Sequence, residues 1–283
     1  PDELVEEIFM ENLWAKSRWG RPIAGSLKSV ARFEADDVRG FMKKHYSPKN
    51  CVVVAVGEVN HEEIVKLAQR NLRDLPGKSE RKTSWPDAPK VESHRNIRRD
   101  ETECAHIILG TRAYAFDDPK RYASWTLDTI LTGGYSSRLF QEIREKRGLC
   151  YSIGGLSAAY RTAGFWAVET SVAPENVAKT LKIIARELRK VKENGVGKNE
   201  LKRAKQMARV NILLAEESAN AKMNRLARNE LYFGKQKSPR ETLEAIERVT
   251  LEEIPAVAHE MFDPSLLNLA AIGPIDEKIE FEI

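Results

Sequence analysis

The sequence predicts an α+β protein with duplicated domains, each a mainly antiparallel sheet covered by helices on one face, the first lacking its N-terminal part. Three observations carry that expectation. Amphipathic stretches at helical spacing alternate with short β-branched or apolar runs along the chain. A stretch rich in Pro, Ser, Lys and Asp, residues 78–97, reads as a linker, which divides the chain into 1–77 and 98–283. Residues 33–59 also repeat, without a gap, as residues 249–275.

The repeat sets FEADDVRGFMKKHYSPKNCVVVAVGEV over VTLEEIPAVAHEMFDPSLLNLAAIGPI. Asp37 meets Glu253, Phe41 meets Val257, Tyr46 meets Phe262, Pro48 meets Pro264 and Gly57 meets Gly273. Each copy reads as a capped helix, an aromatic-X-Pro break, and a buried strand closed by glycine. The second copy has roughly 150 residues between linker and shared helix, the first only about 30. A first domain shorter by about 120 residues at its front is therefore expected, the chain being a C-terminal portion.

Residues 2–14 (DELVEEIFMENLW) space Leu4, Ile8, Phe9 and Leu13 as one helix face, with acids in the first turn. Residues 20–26 (GRPIAGS) form a loop, either plain turn chemistry or an approach to an active site. A helix at 35–45 precedes Pro48, a buried strand is expected at 51–56, and a helix at 61–75. Trp85 is read as an anchor for the linker. Beyond it come a strand at 103–113 and a helix at 119–131. The strand at 149–154 has an antiparallel neighbour at 165–172. Helices at 177–191, 199–217, 220–233 and from 238 follow; the basic residues along 179–205 read as a solvated face.

Composition excludes several classes. The apolar share of 42% and charged share of 31% describe a globular chain able to bury a core. A net charge of +4, from 46 basic and 42 acidic residues, gives no argument for a nucleic-acid partner. No apolar run is long enough for a membrane span. Cys51, Cys104 and Cys150 are odd in number and far apart, each in a strand-like run, which reads as small buried hydrophobes without disulfides.

The chemistry concentrates in residues 133–153, GGYSSRLFQEIREKRGLCYSI. A glycine turn leads into a short helix with Ser136 and Ser137 in its first turn and Leu139, Phe140 and Ile143 on its apolar face. Gly148 ends the helix, with Lys146 and Arg147 in its last turn, and a strand carries Tyr151. Arg144 and Tyr151 flank this corner. Two readings fit: a guanidinium and phenol clamping a carbonyl oxygen or a developing oxyanion, or a solvated helix charge beside a half-buried strand residue.

Residues PDELVEEIF followed by GRPIAGS, then HYSPKNCVVVAVGEV, then SSRLFQEIREKRGLCYSI, resemble the pitrilysin/insulinase-like (M16) zinc peptidases in the same order. The likeness is to those of processing-peptidase type. It covers essentially the whole chain, and it implies the fold of that metallohydrolase. It also implies that Arg144 and Tyr151 are the catalytic and substrate-binding clamp of the second homologous domain, reaching a peptide held at the zinc of the first. The resemblance thus favours the clamp.

The chain departs from the family at the metal site. His-X-X-Glu-His, followed some seventy to eighty residues later by a ligand Glu, is absent; the five histidines, His45, His61, His94, His106 and His259, are scattered. His61-Glu62-Glu63 reads as a helix start. The chain alone is therefore expected to bind no catalytic zinc and to be inactive, zinc belonging to the complete enzyme. Glu103 stands where the family often carries Gln and either lines the chamber or is an exposed strand residue. The implied partners are an extended peptide or protein substrate and a second subunit, in a homodimer or heterodimer. Two rivals stand beside the endopeptidase: a non-catalytic peptide-binding subunit whose partner carries the zinc, and a purely structural member, which would tend to lose the clamp.

Overall fold

Alternation along residues 105–113, AHIILGTRA, builds the two faces of the central sheet. Successive side chains of a strand point to opposite sides. Ala105, Ile107 and Leu109 therefore enter one apolar core and Ile108 a second. These positions are taken from a computed structural model, which describes residues 1–77, 87–276 and 279. Trp85 lies outside the described residues, as do residues 78–86 of the expected linker.

The chain forms two compact units, one of residues 1–22, 87–209 and 243–283, the other of residues 23–86 and 210–242. In chain order the helices and strands are α1 (Asp2–Leu13), α2 (Leu27–Val30), α3 (Ala35–His45), α4 (His61–Leu72), β1 (Arg95–Arg99) and β2 (Ala105–Ala113). Then come α5 (Arg121–Thr132), a π-helix (Phe140–Glu145), β3 (Cys150–Ala159), β4 (Gly164–Val172), α6 (Val177–Asn194) and α7 (Lys198–Glu217). The last are α8 (Ala219–Phe233), α9 (Pro239–Glu247), α10 (Glu253–Met261) and β5 (Asn268–Gly273).

The first unit is an α+β layer built on one five-stranded sheet of order β1-β5-β2-β4-β3, antiparallel except where β1 runs parallel to β5. On one face Ile107, Leu109, Trp166, Val168, Leu269 and Ala271 meet the apolar stripes of α5, α6 and α10. The stripe of α6, with Val177, Leu181, Ile184, Leu188 and Val191 three or four residues apart, is what turns a lysine-rich segment into a packed helix. Trp166 is fully buried, its ring 5.0 Å from that of Phe262. Its indole N–H donates to Asp128 Oδ1 of α5 at 2.8 Å, which meets the polar need of a buried indole. On the opposite face α1 seats Val5, Ile8, Phe9 and Leu13 against Ile108, Phe165, Ala167, Ala270 and Ile272.

In the second unit the described residues are helix and loop. Asn60 caps α4 by accepting the backbone N–H groups of Glu62 and Glu63 at 2.9 and 3.2 Å, so His61-Glu62-Glu63 is a helix start. The buried strand expected at 51–56 does not form. The segment has extended backbone at Cys51, but Val52 and Val53 are exposed and the run pairs with no strand among the described residues. Its counterpart in the repeat, β5, is buried at every position because β1 and β2 flank it. A β-branched run becomes a buried strand only where neighbours take up its backbone donors and acceptors. Cys51 is accordingly exposed, not a buried hydrophobe, and Cys104 and Cys150 are half-buried free thiols.

β1 was not legible in RNIRR, because three arginines in five residues read as linker; pairing with β5 makes it a strand. Glu103 lies exposed in the bend before β2 rather than within the strand.

Candidate functional site: a cation–aromatic corner on an edge strand

β3 is one of the two edge strands, so its outer edge has no partner strand among the described residues. Near its start Cys150 pairs with Val172 and Ile153 with Thr170. Tyr151 and Ser152 thus stand opposite Ser171 alone, which is a β-bulge. The extra residue resets the alternation, so that Cys150 and Ile153 both face the helix-covered core although three positions apart. Tyr151 is turned outward, 86% exposed. Thr170 Oγ1 donates to the Ser152 carbonyl at 2.8 Å and ties the bulge to β4.

The helix before β3 is short and changes pitch. Gln141 N–H bonds the Ser137 carbonyl four residues back, whereas Lys146 N–H bonds Gln141 five back, at 3.0 Å each. The expected apolar face holds, with Leu139, Phe140 and Ile143 buried. The helix ends at Glu145, however, short of Gly148. Gly148 adopts φ +59°, a backbone that other residues enter at a cost, and turns the chain into β3.

Arg144 and Tyr151 meet across that turn: the Arg144 Cζ lies 5.1 Å from the centroid of the Tyr151 ring and 4.9 Å from that of Phe140. Tyr135 packs edge-on against Phe140 at 5.1 Å. One guanidinium is thus held between two rings, an arrangement that fixes its plane while leaving donors free. Phe140 read only as a core residue in the sequence. Its place four residues before Arg144, one helical turn, was the signal for a stacking partner.

Two ion-pair groups hold the corner. Glu142 binds Lys146, Arg147 at 2.8 Å and Arg186 of α6 at 2.8 Å. Lys146 and Arg147 therefore serve Glu142, beyond any complement to the helix dipole. Arg138 grips Glu200 of α7 with two hydrogen bonds, 2.7 and 2.8 Å. Hydrogen bonding from Lys146, helped by Arg147, lowers the Glu142 pKa to about 2, against 4.5 for an ordinary glutamate. A folded-state pKa below the unfolded one stabilises the protein above the unfolded value, and that contribution is lost as pH falls through the folded one. In acid titrations followed by circular dichroism, Glu142→Gln is expected to lose less stability than the wild type between pH 4.5 and about 2. Equal slopes would show that the carboxylate does not hold the corner. Burial pushes the neighbouring Cys150 thiol up, with Arg144 acting in the opposite sense.

Beneath β3, Asp128 also accepts from Thr132 at 2.6 Å and from Ser157 of β3 at 3.3 Å. Gly155 of β3 passes so close that a Cβ there would lie 2.2 Å from Thr132 Oγ1 and 2.6 Å from Asp128 Oδ1.

The described residues do not fit zinc. His106 is engaged by Asp2 at 2.5 Å and by Ser171 at 2.9 Å. Among the described residues no group of three or more His, Cys, Asp or Glu is placed to hold a metal ion. Among them too, no helix is long and apolar enough to cross a membrane.

Known proteins resemble this chain in sequence or in fold. The family model described as "Peptidase M16 inactive domain" matches residues 32–208. An "uncharacterized zinc protease" of Streptomyces coelicolor is 35% identical over 98% of this chain and 62% of its own length. One from Rickettsia bellii is 33% identical over 97% of this chain and 66% of its own length, so this chain spans about three fifths to two thirds of these relatives. The crystal structure of a peptidase M16 inactive domain from Pseudomonas fluorescens superposes with a TM-score of 0.86 at 20% identity, over 97% of this chain and 66% of that one. The likeness to that structure is one of fold. Together the family match and the sequence relatives settle the family: this chain belongs to peptidase M16, whose inactive-type domain it carries.

Proposed function

We propose that this chain is the C-terminal portion of a zinc-dependent endopeptidase acting on extended peptides, in which it supplies the clamp for the scissile carbonyl. The placement of Arg144 against Tyr151 at the bulged start of an unpartnered edge strand carries this reading. An extended peptide adds to the outer edge of β3 as a further strand, its backbone groups meeting those of β3. That register brings a peptide carbonyl to the exposed Tyr151 hydroxyl. As water adds to the carbonyl carbon, charge grows on the oxygen; Tyr151 donates to it and Arg144 balances it. Both groups are fixed beforehand by Phe140, Glu142 and the bulge, so little reorganisation accompanies the reaction. The zinc named for the relatives is held by residues outside this sequence. Residues 1–77 then belong to the zinc-bearing type of domain and 98–283 to the clamp domain, and a homodimer or heterodimer is the working form.

The same clamp serves a second reading, a non-catalytic peptide-binding subunit whose partner carries the zinc. Retention of both Arg144 and Tyr151 fits either reading. Hydrolysis of an unstructured peptide by the complete protein separates the two. Under the first reading Arg144→Gln lowers kcat/KM at least about tenfold with the metal content unchanged. No activity in the complete protein, together with Arg144-dependent peptide binding by this chain, selects the second. Activity indifferent to Arg144 would remove the clamp from both.

A further inference from the structure

A cavity of about 290 Å³ opens in the first unit, lined by Trp14, Pro89, Ala113, Tyr114, Met261 and the charged residues Arg112, Asp118, Lys120 and Glu260 among others. It lies at the end of the sheet remote from the corner: Gly164, which begins β4, is in its wall, while Val172 at the far end of β4 pairs with Cys150. Eight strand steps separate the two, about 26 Å. The space is at the small end for ligand cavities.

Its acids are already engaged. Glu260 accepts from the Tyr114 hydroxyl at 2.7 Å and from Lys120 at 2.6 Å. Asp118 accepts the backbone N–H of Lys120 at 2.8 Å. Two groups that can only donate are left over. Trp14 is 1% exposed, and its indole N–H is buried with no hydrogen-bond partner. Arg112 is exposed and interacts with Glu260 and Asp263 through charge, without a hydrogen bond among the described residues. A buried donor without an acceptor is costly and rare in a folded protein. A guanidinium at the same cavity, with no hydrogen bond among the described residues, offers a planar fork suited to a carboxylate. The same cavity is also lined by Pro89, Ala113 and Met261, which take apolar groups.

We propose that this cavity binds a small carboxylate with an apolar body. The carboxylate engages Arg112, one of its oxygens completes the Trp14 indole N–H, and the body lies against the Trp14 and Met261 wall.

Phenylacetate is a probe of that class, and phenylacetamide is its uncharged counterpart. The chain, labelled with ¹⁵N at tryptophan, is titrated with each while the indole N–H resonances are followed; Trp14→Phe identifies the Trp14 signal and keeps the ring packing. The expected result is a saturable shift of the Trp14 signal with phenylacetate. Phenylacetamide is expected to bind at least about tenfold more weakly, and Arg112→Gln to weaken phenylacetate by a similar factor while the other indole signals stay in place. No saturable shift, equal binding of acid and amide, or indifference to Arg112→Gln would each overturn the proposal.

Discussion

Tyr151→Phe is expected to lower the turnover of an unstructured peptide by the complete enzyme roughly ten- to a thousandfold, the range for loss of one oxyanion donor. The substitution removes one oxygen from a side chain that is 86% exposed, so it leaves no cavity and no buried polar group behind. The ring remains to stack on Arg144 at 5.1 Å, so the guanidinium should keep its position. A donor that acts on developing charge lowers kcat when lost, whereas one that holds only the ground-state peptide raises KM. Steady-state kinetics with a fluorogenic peptide, alongside zinc analysis, measure both. Unchanged kcat at unchanged metal content would take Tyr151 out of the chemistry. Under the proposed clamp Arg144 and Tyr151 act on one oxygen, so the double variant with Arg144→Gln should lose less than the product of the single losses.

Gly155→Val is expected to destabilise the first unit by about 3 kcal/mol or more, through overpacking and the loss of buried hydrogen bonds. The added carbon would fall within 2.6 Å of Asp128, which also accepts from the core Trp166, and closer still to Thr132. Either β3 moves outward, or Asp128 is displaced and the Trp166 indole loses its acceptor. Outward movement of β3 carries Tyr151 with it, so the variant should lose activity at temperatures where it is still folded. Urea unfolding of the wild type and variant gives the energy. A loss under about 1 kcal/mol would mean that α5 can yield to a side chain on β3.

The corner shows where sequence reading works and where it stops. A glycine eleven residues after a helical serine pair, between an apolar helix face and a strand, is local information, and it places Arg144 and Tyr151 on either side of one turn. What joins them is not local. The bulge that turns Tyr151 outward exists because Cys150 and Ile153 must both reach the core, a demand set by β4 and the helices packed behind it. The pitch change in the π-helix has no sequence mark of its own. Nor did the parity of the strand announce that β3 would be an edge of the five-stranded sheet.

The paired copies at 33–59 and 249–275 mark the same division. Sequence by itself determined two helices, two aromatic-X-Pro breaks and two β-branched or apolar runs, because helix periodicity, caps and proline act over a few residues. It also determined the α+β class and the absence of a His-X-X-Glu-His site from this chain. Only the tertiary structure decided that residues 268–273 are a buried interior strand while residues 51–56 lie exposed or half-buried and unpaired among the described residues. It likewise made a strand of arginine-rich 95–99 and a bulged edge of residues 150–153. A strand is completed by hydrogen bonds to backbone distant in the chain, so equal local patterns end differently when their neighbours differ.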